Sequence, residues 1–254
     1  ASDSISGYIF GVVPLFVLMG LLISVSGIGK DTFDVANRLF KGVRGGLGIS
    51  TVAANAIFAA VTGISIASAT VFSRVAVPEM TRHGYTKRFA TGVVAGSSVL
   101  GMLIPPSVLL IVWAILTEMS VGALFIAGLI PGIVLALLFA GYVIVAVIRK
   151  PEIAPAFEEP LVALTPEEVR SELIGGLGIL FLILLVIGGI WTGMFTPTEA
   201  AGFGALGALL IGIVKGMRWA DIVHAIFQAG RTTAPIMFLL ITAQMYSRLL
   251  AIGG

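Results

Sequence analysis

The 254-residue sequence contains no cysteine, only two histidines and only 11% charged residues. Without cysteine there are no disulfides and no thiolate metal sites. The shortage of charge excludes more. Soluble domains carry roughly 25% Asp, Glu, Lys and Arg. A chain with less than half that share cannot clothe its surface for water, so a soluble enzyme, a nucleic-acid binder and a disordered chain all drop out. The net charge of +2 does not revive nucleic acid, because basic residues of membrane proteins gather in loops on one side for topological reasons. Ionisable side chains are wholly absent from residues 45–73 and 89–117, which removes the usual mark of a proton relay inside a membrane. Both histidines, His83 and His224, fall in segments read as loops. No buried Asp pair or Ser–His couple is on offer for hydrolysis within a bilayer, so no enzymatic chemistry is expected.

What is present is a series of long apolar runs. Between charges lie residues 4–29, 45–73, 89–117, 119–148 and 173–198, each longer than the ~20 residues that cross ~30 Å of hydrocarbon as a helix. None alternates apolar and polar over ~10 residues as an outer-membrane strand does. The expected fold class is therefore all-α, a polytopic membrane protein, with residues 199–214 and 232–251 as further spans. Lys and Arg set the orientation, since short cytoplasmic loops accumulate them. Lys30, Arg38, Lys41 and Arg44 precede residues 45–73, and a second basic loop with Arg74, Arg82, Lys87 and Arg88 follows. A single crossing puts one of these clusters outside. A hairpin that enters and returns on one side keeps both in the cytoplasm, and then 14 of the 15 basic residues lie in or beside cytoplasmic loops, Arg248 being the exception. The charge pattern favours this re-entrant helical hairpin, whose centre at 61–70 joins glycine to hydroxyls able to satisfy a turn. A tilted single span packing its small residues on a neighbour stays open.

Residues 30–44 predict a short interfacial helix, with Phe33, Ala36, Leu39 and Phe40 near one face and Asp31, Asp34, Arg38 and Lys41 elsewhere. Residues 151–172 predict a connector between two halves, rich in proline (Pro151, Pro155, Pro160) and then starting a helix with Thr165 as N-cap, Pro166 at N1 and Glu168 at N3. Thr196-Pro197-Thr198-Glu199 carries the same helix-start signal, a structural role for a carboxylate near the outer interface. Trp113, Trp191 and Trp219 fall near span ends, as interfacial anchors do.

The most informative run is residues 96–107, where Pro105 and Pro106 follow Gly96, Ser97, Ser98 and Gly101 and precede Ser107. Two prolines in succession lack amide donors and clash with the preceding turn, so the helix should open near 101–106 and release carbonyls. Such backbone is tolerated in a membrane only where it is buried in protein or lines a polar cavity, and broken helices of this kind hold ions and substrates in secondary transporters. A plain proline kink is the alternative. Hydroxyl and carbonyl oxygens are hard neutral ligands suited to Na⁺, and half-helix N-termini attract carboxylates.

In residues 14–20, 56–63, 103–107, 128–132 and 195–201 the chain resembles the large membrane (M) subunit of the tripartite ATP-independent periplasmic (TRAP) transporters. The matches occur in the family's order and spread over nearly the whole chain. The resemblance implies an elevator-type transporter with inverted repeats, each holding a re-entrant hairpin and a broken transmembrane helix, in the bacterial inner membrane. It implies sodium-coupled import of an organic acid (carboxylate), with Na⁺ as coupling ion and no other cofactor. It also implies two protein partners, a small (Q-type) membrane subunit and a periplasmic (P-type) substrate-binding protein. Carried over by position, sodium ligands fall at Thr62, Gly63, Ser65, Ser97, Gly101, Pro105, Pro106 and Ser107, and substrate contacts at Ser65, Ser98 and Ser107. Ile64 stands where the family often has a serine, which leaves only main-chain ligation at that position. The expected organisation is a scaffold helix with an interfacial helix (1–44), a first-repeat transport unit (45–117), a helix and connector (118–172) and the start of a second repeat (173–254). A chain that starts without Met and stops after an apolar segment is expected to be part of a longer subunit. A divalent-anion/sodium symporter of related fold, or a channel built on the same hairpin, is the alternative.

Overall fold

The computed structural model describes residues 11–154 and 165–253. The described residues form helices and no strand: α1 Val12–Val25, α2 Ile28–Leu39, α3 Gly46–Thr62, α4 Ser65–Arg82, α5 Lys87–Ser98, the single turn α6 Leu100–Leu103, α7 Val108–Thr117, α8 Val121–Arg149, α9 Pro166–Ile183, α10 Pro197–Val214 and α11 Trp219–Gly253. A π-helical turn at Leu184–Gly188 carries α9 into a last turn at Gly189–Trp191. Among the described residues five helical stretches are long and apolar enough to cross a membrane, Lys87–Thr117, Val121–Arg149, Val169–Trp191, Pro197–Val214 and Trp219–Tyr246, and the bent pair of α1 and α2 makes a sixth if it is one span. The protein is a multi-pass helical membrane protein.

At the centre lies α1, apolar on all sides and buried over most of its length, as a helix surrounded by others must be. It packs on α10, α11 and α3. The face of α10 is built from small residues, Ala200, Ala201, Gly204, Ala205, Gly207 and Ala208, all buried. Small residues let membrane helices approach closely where no hydrophobic drive separates lipid from protein. α10 starts as its sequence dictates: Thr196 accepts from the Glu199 amide at 3.3 Å, while the Glu199 carboxylate accepts from the Thr196 amide at 2.8 Å. α9 likewise begins at Pro166, although the connector's Pro155 and Pro160 lie outside the described residues, as does the side chain of Glu168.

Residues 46–82 form a helical hairpin. Phe58 meets Phe72 edge-on at 5.5 Å between ring centres, and nearer the foot the Thr51 hydroxyl reaches Met80 Sδ at 3.7 Å, the pairing of two antiparallel arms. The descending arm is longer than expected. Arg74 and Arg82 belong to α4, so the second basic loop shrinks to residues 83–86. The sequence boundary at residue 73 marked the end of apolarity, and the helix runs on because a polar, amphipathic stretch can stay helical outside hydrocarbon. His224 is also misplaced by the loop reading, since it lies in α11, which starts at Trp219.

The helix expected over residues 30–44 is present as α2, which leaves the α1 direction by 65°. Phe33 and Ala36 are buried as expected. Leu39, expected on the same face, is 74% exposed, while Asp31, expected outside, is buried. The reason lies far along the chain. Lys215, at the end of α10, donates to Asp31 Oδ2, and Ser171 of α9 donates to Asp31 Oδ1 at 3.3 Å while accepting from Lys215 at 3.0 Å. Arg38 pairs with Glu172 on the same side of α2. Two ion pairs thus bolt α2 onto α9 and α10.

Asp34 sits on this helix without such a partner, and burial pushes its carboxyl up to about 6, with Lys30 opposing and Glu172 and Asp31 adding to the rise. The folded chain therefore holds this proton more tightly than the unfolded chain does. Its contribution favours folding at low pH and is lost as pH rises from 3.8 through about 6. Asp34→Asn should raise the thermal unfolding midpoint at about pH 7.5 and leave it unchanged near pH 4, a difference read from two unfolding curves in detergent.

Candidate functional site

The hairpin tip and the proline break meet. α3 stops at Gly63, whose φ of +64° is a left-handed conformation that glycine adopts without steric cost. A Cβ at Gly63 would overlap the carbonyl of Pro106. The Gly63 carbonyl in turn accepts from the amide of Val108 at 3.1 Å, so tip and break are joined backbone to backbone. Gly101 lies against Ile64 and the Ser65 amide, where a Cβ would stand 3.1 Å from both. On the far side, α8 crosses the break through Gly128 and Gly132, which face Leu103 and Ile104.

At the break the helical ladder stops. The Ile104 amide still reaches Leu100, and the next helix restarts with Ser107 as N-cap, its hydroxyl accepting from the Leu110 amide at 3.4 Å and donating to the Met102 carbonyl at 2.5 Å. Among the described residues no donor reaches the carbonyls of Leu103, Ile104, Pro105 or Pro106. Ile104, Pro105 and Pro106 are buried. Buried carbonyls almost always find a partner. The open oxygens are neutral and face different ways, that of Pro106 toward Gly63 at the tip and that of Leu103 toward Gly128 of α8, and the Thr62 hydroxyl donates to the Phe58 carbonyl at 2.8 Å. Among the described residues no three His, Asp or Glu side chains converge on a metal position.

The expected site residues divide into two levels. Thr62, Gly63, Ser65, Gly101, Pro105, Pro106 and Ser107 gather at the tip and break. Ser97 lies lower by roughly 9 Å at 1.5 Å per residue, where it accepts from Asn55 Nδ2 at 2.8 Å and donates to the Val93 carbonyl at 2.7 Å. Ser98, also buried, donates to Ala95 at 2.9 Å. Asn55 is the residue that sequence reasoning passed over. It is fully buried in α3 and ties the hairpin to the broken helix, while its Oδ1 has no partner among the described residues. The available signal was its being the only carboxamide in residues 45–73.

Beside the tip a cavity of about 530 Å³ opens between α4, α2 and α11, bordered by Ile64, Thr70, Arg74, Lys30, His224 and Gln228 among others. Its lining includes two cations, Lys30 and Arg74, and one carboxylate, Asp221.

A multi-pass helical protein that seats a hairpin tip on an unwound, proline-broken helix, with neutral oxygens and no carboxylate at the junction, has the build of a transport protein. The chain belongs to the family described as tripartite ATP-independent periplasmic transporter, DctM component, whose sequence profile matches residues 2–254. It is 33% identical over 245 residues to the C4-dicarboxylate TRAP transporter large permease protein DctM of Pseudomonas aeruginosa, covering 96% of this chain and 56% of that one. It is 30% identical to the 2,3-diketo-L-gulonate TRAP transporter large permease protein YiaN of Escherichia coli, over 95% of this chain and 56% of the relative. With the sialic acid TRAP transporter large permease protein SiaM of Vibrio cholerae it shares 31% identity over 94% of this chain and 55% of the relative. The chain thus spans a little over half the length of these relatives. The family is one of transporter permeases, not enzymes.

Proposed function

We propose that the chain is part of the large permease of a sodium-coupled organic-acid importer in the bacterial inner membrane. Its substrate is delivered by a periplasmic binding protein, and it works beside a small membrane subunit. The observation that carries the sodium reading is the set of open carbonyls at the proline break, with that of Pro106 set against the Gly63 tip. Na⁺ is coordinated by such neutral oxygens, and neither the hairpin centre nor the broken helix offers a group that could carry a proton instead. Thr62, Ser65 and Ser107 add hydroxyl oxygens. Asn55 and Ser97 hold the two elements together below the ion, so that residues 45–117 act as the moving unit.

An organic acid fits the same junction. The N-terminal turns of α4 and α7 begin there, and amide ends of helices attract carboxylates; Ser65 and Ser107 are the hydroxyls at that junction, with Ser98 below them in the broken helix. Lys30 and Arg74 make the adjoining cavity favourable to an anion. Relatives named for C4-dicarboxylate, 2,3-diketo-L-gulonate and sialic acid share this chemical class. The test is uptake by the full-length subunit in proteoliposomes with its binding protein and small subunit. Replacing Pro105 and Pro106 together by Ala lets the helix close, so that the amides of residues 107–110 reach the open carbonyls four residues back, and Na⁺-dependent uptake falls to background. Uptake that keeps its rate and sodium dependence overturns the assignment.

A further inference from the structure

The cavity beside the tip continues the junction toward the basic end. One wall is α4, from Ile64 at the tip through Thr70 to Arg74, and the wall across from it is α11. There Asp221, His224, Gln228 and Thr232 recur at spacings of three and four and so share one side of the helix. A polar stripe of that length is costly against hydrocarbon, and here it borders about 530 Å³ of open space, room for a small organic ligand. The charges along the cavity do not cancel one another. Asp221 accepts from the Arg218 amide at 3.0 Å at the start of its own helix, and Lys30 acts on the Asp34 carboxyl one turn along α2. That leaves Arg74, exposed and with neither an ion pair nor a hydrogen bond among the described residues.

Membrane topology accounts for cations at the foot of the hairpin, where Arg82, Lys87 and Arg88 lie. Arg74 stands roughly 12 Å nearer the tip than Arg82 at 1.5 Å per residue. α2 fixes its level, because a Cβ on Gly29 would collide with Val71, and the two helices thus touch one turn from Arg74 on the tip side. Helical side chains lean toward the N-terminus of their helix, and α4 has its N-terminus at the tip, at Ser65. The guanidinium therefore extends up the cavity toward the junction, whose backbone at Ser65 lies roughly 14 Å along the helix. We propose that the transported acid is a dicarboxylate, with one carboxylate at the junction and the second held in this cavity by Arg74, which rests on the organic-acid reading of the junction. The planar fork of Arg74 matches a carboxylate through two parallel hydrogen bonds. Thr70 lies between the two ends along α4, and Gln228 lies on the opposite wall. A monocarboxylate leaves the guanidinium unused and forgoes that contact.

The full-length subunit in detergent with Na⁺ is titrated with succinate, glutarate and adipate and with their monoamides, which keep the length and lose one charge. Binding is read from the rise in unfolding midpoint. At least one diacid should bind roughly tenfold tighter than its monoamide, as one hydrogen bond between charged groups provides. Arg74→Gln should abolish that preference by weakening the diacid while the monoamides bind as before, which also shows that the variant is folded. Arg74→Lys should keep part of the preference, and Arg170→Gln, an exposed cation on α9, should keep all of it. Equal binding of diacids and monoamides overturns the dicarboxylate and leaves the organic-acid reading standing, as does a preference that survives Arg74→Gln. If no acid of either kind binds, the organic-acid reading falls and the dicarboxylate with it.

Discussion

Lys215→Met in the full-length subunit is expected to cost roughly 3–5 kcal/mol of stability, the range for removing one partner of a buried ion pair. Lys215 and Asp31 side chains are 7% and 10% exposed, so the carboxylate left behind keeps, among the described residues, only the Ser171 hydroxyl and little access to water. The loss comes from an orphaned charge and not from the pair's own attraction, which desolvation largely offsets. Asp31→Asn/Lys215→Met should therefore recover most of the stability that Lys215→Met loses, since a neutral amide tolerates the same site. Arg38→Gln serves as the reference. It breaks the neighbouring pair with Glu172, but the Arg38 side chain is 40% exposed, so about 0–1 kcal/mol is expected. Unfolding midpoints of the four proteins in one detergent decide the matter. The ion-pair account fails if Lys215→Met costs no more than Arg38→Gln, or if the double variant is worse than the single.

Gly63→Ala should be the most damaging single methyl in the chain. Its φ of +64° costs an L-residue roughly 1–2 kcal/mol, and the new Cβ must push the Pro106 carbonyl away. Either the tip lifts or the break shifts, and both displace the carbonyls of residues 103–106. The expected outcome is a lower unfolding midpoint together with lost substrate uptake. Gly92→Ala is the control, because nothing lies within 4 Å of a Cβ there, and in a helix interior alanine is favoured over glycine by up to about 1 kcal/mol. Wild-type uptake by Gly63→Ala would show that tip and break do not need this contact.

The hairpin and the break were legible because each leaves a local mark. Backbone that turns or unwinds in a membrane needs glycine, proline and hydroxyls in short succession, and the basic clusters at residues 30–44 and 74–88 limit which side each apolar run can end on. Helix ends were less legible. Hydropathy stops where hydrocarbon stops, whereas hydrogen bonding carries α4 on through Arg74 to Arg82 and starts α11 before His224. Pairings across the fold were not legible at all. Asp31 and Lys215 lie 184 residues apart, and an amphipathic pattern places any carboxylate of α2 in water until its cation is known. Asn55 was invisible for a related reason, since a single carboxamide barely lowers the hydropathy of its run and its partner Ser97 sits 42 residues away.

Where α1 passes the hairpin tip, a Cβ on Gly20 would collide with the carbonyl of Thr62. Here two main chains touch, and main chains cannot swing aside as side chains do. If residues 45–117 move as proposed, travel of the hairpin would first have to part these surfaces, and α1 would act as a detent that sets the resting height of the tip. A larger residue at Gly20 would reset that height while every oxygen at the break kept its own chemistry.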